Sequence, residues 1–196
     1  GTGHAVLQSR PVFAVGKRGA PSSYLILNGD TPLLQEATVR ELLRVHEAER
    51  AIVTILTAVL EDASGYGRVV RAHSAERGVS RIVEDRDANA EEQAIREINV
   101  GTYVVDGEFL FSALEKLDPS NAQGEYYLTD IIRLAERAGR RVAAVVLDNP
   151  NEGLGVNTRR QLAEAEQVVR QQIRDRWLDA GVTMIDPAST WIDAAV

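Results

Sequence analysis

One stretch constrains the fold more than any other: residues 24–34, which read Tyr-Leu-Ile-Leu-Asn-Gly-Asp-Thr-Pro-Leu-Leu. The unbroken apolar run over 24–27 predicts a strand that is buried on both faces of a parallel sheet. The polar sequence that ends in Asp30 closes this run, and Pro32 prevents further ladder pairing. Ligands of open α/β sheets gather beyond the carboxyl ends of strands, so Asp30 is a candidate ligand-binding residue. A helix cap or an Asx turn would also explain it.

Strand-like and helix-like patterns alternate along the rest of the chain. Apolar runs predict further strands over residues 51–60, 69–72, 79–83, 98–105 and 142–147. Periodic apolar residues predict helices near the first residues, over 35–50 and 109–117, opening at 125, and from 158 to about 178. Polar segments over 16–23 and 73–78 predict loops. This alternation predicts a layered α/β fold with a mostly parallel sheet.

Composition excludes several classes of partner and site. A formal charge of -7 and a pI near 5.1 argue against a nucleic-acid partner, because no basic stretch could replace phosphate counterions. A polyanionic ligand would need local positive charge, such as a divalent metal. The chain has no cysteine, which excludes disulfides and thiolate metal sites and fits a reducing cytoplasm. No apolar segment approaches the roughly 20 residues of a membrane helix, so we expect no membrane partner.

Several polar residues stand where ligand-binding residues are expected. Glu84 follows the strand predicted over 79–83, although most such carboxylates are simply solvated. Asn99 lies inside a predicted strand, where asparagine is depleted, and needs either a turn or a ligand for its amide. The glycine-rich loop around Gly67 allows close backbone approach or serves a tight turn. Thr129 and Asn157 precede predicted helix segments and could be helix caps.

The order of the motifs resembles one family over essentially the whole chain. The motifs are Gly-Thr-Gly-His-Ala at 1–5, Leu-Asn-Gly-Asp-Thr-Pro-Leu at 27–33, Gly-Tyr-Gly-Arg at 65–68, Ile-Val-Glu at 82–84, Glu-Ile-Asn at 97–99, Gln-Gly-Glu-Tyr-Tyr-Leu-Thr-Asp at 123–130 and Gly-Val-Asn-Thr-Arg at 155–159. Together they resemble the uridylyltransferase (pyrophosphorylase) domain of the bacterial bifunctional enzyme that makes UDP-N-acetylglucosamine. The resemblance implies a Rossmann-like, mostly parallel sheet of the nucleotide-diphospho-sugar transferase type.

The resemblance also implies an activity and a set of site residues. The family transfers a uridylyl group from UTP to N-acetylglucosamine-1-phosphate, with Mg²⁺, in the cytoplasm, and so feeds cell-wall (peptidoglycan) synthesis. The implied catalytic and metal ligands are Asp30 and Asn157. The implied substrate-binding residues are Gly1 and Thr2 at the uracil, and Gly67, Glu84, Asn99, Tyr127 and Thr129 around the sugar phosphate. Glu125 is expected to support that wall.

The family pattern extends beyond both ends of this chain. Its first strand and glycine-rich loop have no counterpart here, so the resemblance implies a domain truncated at its N-terminal strands. Residues 1–180 would form a partial uridylyltransferase domain, and residues 181–196 a linker and the start of a hexapeptide-repeat β-helix. Relatives trimerise through that β-helix. We therefore expect the isolated chain to be monomeric and to have little or no turnover.

Two alternatives remain open from the sequence. The chain could be a non-catalytic fragment that binds sugar phosphate without capturing a nucleotide. It could also be a related sugar-1-phosphate nucleotidylyltransferase that takes another base or sugar.

Overall fold

The computed structural model describes residues 1–13, 21–72 and 78–193. Its strands are β1 Ser23–Ile26, β2 Val53–Val59, β3 Arg68–Arg71, β4 Val79–Val83, β5 Glu97–Asp106 and β6 Val142–Val146. Its α-helices are α1 Thr2–Leu7, α2 Glu36–Ala48, α3 Ala90–Gln93, α4 Gly107–Leu114, α5 Asp130–Arg137 and α6 Arg159–Asp179, and short 3-10 helices occupy Arg10–Val12 and Pro150–Gly153. The loops predicted over 16–23 and 73–78 lie mostly outside the described residues.

The strands form one mixed sheet in which β5 is the central strand. The order is β4-β3-β5-β2-β6, and β1 pairs with the second half of β5. β2 and β6 are parallel, whereas β5 is antiparallel to β1, β2 and β3, and β3 is antiparallel to β4. The α/β class is therefore confirmed, but the expectation of a mostly parallel sheet is wrong. The reason is that β5 runs opposite to all three strands beside it.

The strand predicted over 24–27 exists as β1, but it is not buried on both faces. Tyr24 is buried, while Leu25 is 40% and Leu27 is 51% exposed. Side chains alternate between the two faces of a strand, and the core cluster that holds Tyr24 and Ile26 covers only one face of β1. An apolar run cannot by itself distinguish a strand covered on one face from one covered on both.

Helices cover both faces of the sheet. On one face, α4 and α5 pack with the inward side chains of β1, β2 and β5 in an apolar cluster around Phe111. On the other face, α2 places fully buried Leu42 against Leu56 of β2. Leu56 and its neighbour Ile55 belong to opposite clusters, as strand alternation requires.

The helix predicted to open at residue 125 begins later, at Asp130. Residues 125–129 form an irregular segment, and the amide of Gly3 in α1 donates to the Tyr126 carbonyl at 2.9 Å. The long last helix agrees with the sequence, since α6 ends at Asp179. Residues 181–193 contain neither helix nor strand. No helix among the described residues has the length and apolar character to span a bilayer.

We predict that Phe111→Ala lowers the free energy of unfolding by about 3–5 kcal/mol, because it leaves a cavity in the core. The Phe111 ring is 1% exposed and lies edge-on to Tyr24, with ring centroids 5.4 Å apart. Leu162→Ala, at a side chain that is 55% exposed, is the control and should change stability by less than about 0.5 kcal/mol. Urea unfolding followed by circular dichroism measures both. Equal losses for the two variants would contradict this description of the core.

Candidate functional site

Pairing of β3 with both of its neighbours brings three predicted site residues together. Arg68 in β3 pairs with the residue before Glu84 on one side and with the residue before Asn99 on the other. The backbone N–H of Asn99 also donates to the Gly67 carbonyl at 2.8 Å. Gly67, Glu84 and Asn99 are therefore neighbours at one place on the sheet.

Most of the predicted residues line one cavity of about 240 Å³, which we call the main pocket. The predicted residues in its lining are Thr2, Asp30, Gly67, Glu84, Asn99, Thr129 and Asn157. Tyr127 lines an adjoining cavity of about 190 Å³, the side pocket. Glu84 and Thr129 line both cavities and form the wall between them.

Asp30 and Asn157 converge on either side of Gly155. A Cβ placed on Gly155 would lie 3.5 Å from Asp30 Oδ2 and 3.6 Å from Asn157 Nδ2. The two segments are joined by a 2.7 Å hydrogen bond from the Val156 amide to the Asp30 carbonyl. Asp30 and Asn157, which are far apart in sequence, are thus close together in the fold.

The helix-cap explanations fail for these two residues. Thr158, not Asn157, caps α6, because its Oγ1 accepts from the Gln161 amide. Asp30 is not a cap either, since the N-cap of α2 is Gln35. Within the described part of the chain, the Asp30 carboxylate accepts no hydrogen bond. Neither side chain therefore serves as a cap, and both lie in the lining of the main pocket.

No cluster of three or more His, Cys, Asp or Glu side chains that could hold a metal is found in the described residues. A cation at this site would have to use a mixed donor set, and Asp30 with Asn157 supplies one carboxylate and one amide. Mg²⁺ accepts such a set, because it keeps several waters and takes one or two carboxylates beside the oxygens of a phosphate ligand.

Thr129 occupies the N-cap position of α5, but its side chain makes no capping bond. Its hydroxyl donates instead to Glu84 Oε1 at 2.9 Å. In the side pocket, the Tyr127 hydroxyl donates to Asp87 Oδ2 at 3.4 Å. The cap explanation for Thr129 is therefore wrong, and the residue helps to hold the Glu84 carboxylate.

Asn99 has a turn explanation and also faces the main pocket. Its Oδ1 accepts from the Gly101 amide at 3.1 Å, and its Nδ2 donates to the Tyr103 hydroxyl at 2.7 Å. Gly101 has a φ of 86°, and a Cβ there would lie 2.1 Å from Asn28 Nδ2. Glycine is thus required at this β5 bulge, where the register with β2 shifts.

The N-terminal residues occupy different places. Thr2 Oγ1 accepts from the Leu128 amide at 3.1 Å and lies in the lining of the main pocket. Gly1 packs against the segment before α5, since a Cβ on it would lie 2.7 Å from the Tyr126 carbonyl and 2.8 Å from Glu125 Cβ. Neither Gly1 nor Glu125 is among the residues that line the two pockets.

Sequence reasoning missed Arg68 and Tyr103. The Arg68 side chain is 4% exposed; its guanidinium donates to the Tyr66 carbonyl and lies 3.0 Å from Asp85 Oδ1. It thereby ties the glycine loop to the segment that follows Glu84. A charged residue opening an apolar strand, and a tyrosine inside one, are the signals that could have found them, because a buried guanidinium or hydroxyl needs a polar partner.

Comparison with known proteins shows the family of this chain. A sequence model described as nucleotidyl transferase matches residues 1–185. The chain belongs to the nucleotidyl transferase family. It is 49% identical over 192 residues to the bifunctional protein GlmU of Exiguobacterium sibiricum, which covers 98% of this chain and 41% of that protein. GlmU of Heliobacterium modesticaldum is 47% identical, over 97% of this chain and 40% of that protein.

These relatives confirm the resemblance drawn from the motifs, and the chain spans about two fifths of their length. Among solved structures, UDP-glucose pyrophosphorylase complexed with UDP-glucose aligns with a TM-score of 0.54 at 17% identity, over 74% of this chain and 53% of that one. A glucose-1-phosphate thymidylyltransferase from Bacillus anthracis aligns with a TM-score of 0.52 at 16% identity, over 76% and 53%. At such identity the structural matches support the fold.

Burial changes the electrostatics of Glu84, in the wall between the two pockets. Its pKa is raised first by desolvation, and the hydrogen bond from Thr129 lowers it only in part. The nearby carboxylates of Asp87, Asp130 and Asp85 raise it further. Ionised Glu84 therefore destabilises the folded chain. A ligand that donates hydrogen bonds to the carboxylate would offset this destabilisation.

We predict that Glu84→Gln stabilises the chain in a pH-dependent way. Because the folded-state pKa is raised, the folded chain binds this proton more tightly than the unfolded chain. That contribution is complete below the ordinary glutamate pKa of about 4.3 and is lost as pH rises through the raised value. The Tm advantage of Glu84→Gln should thus be absent near pH 4, grow as the Glu84 carboxyl ionises, and be largest near pH 8.

The control is Glu108→Gln, which changes an exposed carboxylate in the first turn of α4. Thermal melts of both variants and the parent across this pH range give the result. A Glu84→Gln advantage that is constant with pH, or that grows toward low pH, would contradict the assignment.

Proposed function

We propose that this chain forms the uridylyl-transfer site of a UDP-N-acetylglucosamine pyrophosphorylase. An oxygen of N-acetylglucosamine-1-phosphate attacks the α-phosphorus of UTP, and the bond to pyrophosphate breaks. The observation that supports this most is that the residues implied for the metal line the main pocket together with Gly67, Glu84, Asn99 and Thr129, four of the five residues implied for the sugar phosphate. Membership of the nucleotidyl transferase family supports the same reaction class.

The roles of the residues follow from their chemistry. Glu84, held by Thr129, accepts hydrogen bonds from sugar hydroxyls, and Asn99 donates to the sugar phosphate. Gly67 leaves room beside Glu84, since a Cβ there would lie 3.4 Å from Glu84 Oε2. Tyr127 borders the sugar from the side pocket, and Gly1 and Thr2 contact the uracil. Such transfer depends on positioning and charge neutralisation more than on covalent participation of the protein.

Positive charge is what the main pocket lacks. None of the described residues that line it is Lys or Arg, while Asp30 and Glu84 add two carboxylates. Asp30 and Asn157 would hold Mg²⁺, which would supply charge neutralisation at phosphate oxygens. The chain's own part in the reaction is to orient the two substrates within the pocket. We infer a cytoplasmic role in making a cell-wall precursor, as a domain of a longer, multifunctional protein.

The test is product formation by the whole protein that contains this chain. With UTP, N-acetylglucosamine-1-phosphate and Mg²⁺, we expect equal amounts of UDP-N-acetylglucosamine and pyrophosphate, and none after chelation. Assays with other nucleoside triphosphates and with glucose-1-phosphate test the alternative base and sugar. Calorimetry tests the fragment alternative: sugar-phosphate binding without UTP binding or turnover would overturn the proposed enzyme.

We predict that Asp30→Ala and Asn157→Ala each raise the activation free energy by at least about 2 kcal/mol, which lowers kcat/KM roughly thirtyfold. This is the scale of losing one electrostatic stabiliser. Both side chains are exposed, so the variants should fold normally. The Mg²⁺ dependence of the rate should change with them. An unchanged kcat at limiting Mg²⁺ would remove these residues from the metal site.

A sharper prediction concerns Gly155→Ala, which keeps both side chains but adds a methyl group within 3.6 Å of each. The added Cβ makes only ordinary van der Waals contacts, at 3.5 and 3.6 Å, so Tm should not change. The Mg²⁺ concentration needed for half-maximal rate should rise by roughly tenfold or more, the scale of about 1.4 kcal/mol.

Gly29→Ala is the matched control for this experiment, because it lies beside Asp30 and its new Cβ would have nothing within 4 Å. It should leave the Mg²⁺ dependence unchanged. If Gly155→Ala behaves like Gly29→Ala, the cation does not sit between Asp30 and Asn157.

A further inference from the structure

Tyr103 lines the main pocket, yet the resemblance gives it no role. It is 3% exposed and lies in the centre of β5, where it pairs with Ile26 of β1 and with Ile55 of β2. Pairing on both sides therefore fixes the backbone that carries its ring. Its hydroxyl is the polar part of this side chain.

The hydroxyl is an acceptor for the Asn99 side chain, and the network allows one orientation of that amide. The Gly101 amide is a donor, so Asn99 Oδ1 must face it, as the 3.1 Å hydrogen bond shows. Asn99 Nδ2 is then directed to the Tyr103 hydroxyl at 2.7 Å. A reversed amide would bring two donors together at Gly101.

This orientation decides what Asn99 can offer a ligand. An asparagine amide has two N–H donors and two acceptor lone pairs. One of each is used by Tyr103 and Gly101. The second Nδ2 hydrogen therefore remains available to a ligand of the main pocket, which Asn99 lines.

Burial also keeps the hydroxyl in one state. Desolvation raises the pKa of Tyr103 well above its ordinary value, the negative charge of Glu84 adds to this, and the Asn99 hydrogen bond offsets it in part. The phenol thus stays neutral, and the bond to Asn99 persists through the working pH range.

We propose that Tyr103 is a positioning residue, whose hydroxyl holds the Asn99 amide in the orientation that donates to the sugar phosphate. This inference rests on the proposed function, because it takes Asn99 as a contact of N-acetylglucosamine-1-phosphate. Tyr103 itself is not a catalytic residue, since it acts through Asn99. Tyr103 should therefore affect the affinity for the sugar phosphate and leave the affinity for the nucleotide unchanged.

The test is Tyr103→Phe in the whole protein, with separate kinetics for each substrate. The variant deletes one oxygen and keeps the ring. Losing one hydrogen bond should raise KM for N-acetylglucosamine-1-phosphate roughly three- to tenfold, with KM for UTP and kcat within about twofold. Tyr24→Phe is the matched control, because Tyr24 is also buried in the sheet but packs against Phe13 and Phe111 outside the main pocket. It should change none of these constants.

A double-mutant cycle shows whether the effect passes through Asn99. Tyr103→Phe should add nothing in an Asn99→Ala background, since the amide it positions is then absent. Additive losses would overturn the inference. So would an unchanged KM for the sugar phosphate, or a fall in Tm accompanied by equal changes in both KM values, because that is the result of a purely structural role.

The parent protein separates this inference from the proposed function. If the parent makes no UDP-N-acetylglucosamine, the proposed function fails and the role of Tyr103 fails with it. If the parent turns over and Tyr103→Phe has no effect on KM, only the role of Tyr103 is overturned.

Discussion

The site depends on the pairing of β3 with β4 on one side and with β5 on the other. Both pairings meet at Arg68, so the residues just before or after each paired position are forced into one group. A slip of one residue in either register would turn Glu84 or Asn99 to the opposite face of the sheet. The buried Arg68 guanidinium, bonded to the Tyr66 carbonyl and to Asp85, links the segments on both sides of this register.

The sequence predicted where the strands lie better than it predicted how they pair in the sheet. β1 and β2 are each antiparallel to β5, and β6 is parallel to β2, so β1, β2 and β6 all run in one direction. Their carboxyl ends therefore lie at the same edge, and the segments that carry Asp30 and Asn157 follow β1 and β6. The strand-end argument was made for Asp30, and it needed only the direction of β1, so it did not depend on how β5 runs. Asn157 was implied by the family resemblance alone.

The same argument could not have found the setting of Asn99. β4 and β5 run in the same direction, yet Arg68 meets the end of β4 and the beginning of β5. This stagger places Glu84 at a strand end beside Asn99 near a strand start. Local pattern predicts where strands form, because apolar periodicity is local, but the offset between strands is set by long-range packing. The partners of Tyr103 were hidden for a related reason, since the Gly101 bulge changes which side chains share a face.

The two carboxylates of the main pocket differ in a way that orders a ligand within it. Glu84 is largely shielded from water, has Thr129 as a donor and is surrounded by other acidic groups, so a phosphate beside it would be strongly repelled. Hydroxyl groups, which donate, suit that end. Asp30 is exposed at the other end, next to the Asn157 amide, where a cation can offset both its charge and that of a phosphate. Under the proposed function, this difference predicts that a sugar phosphate binds with its hydroxyls at the shared wall and its phosphate toward Asp30.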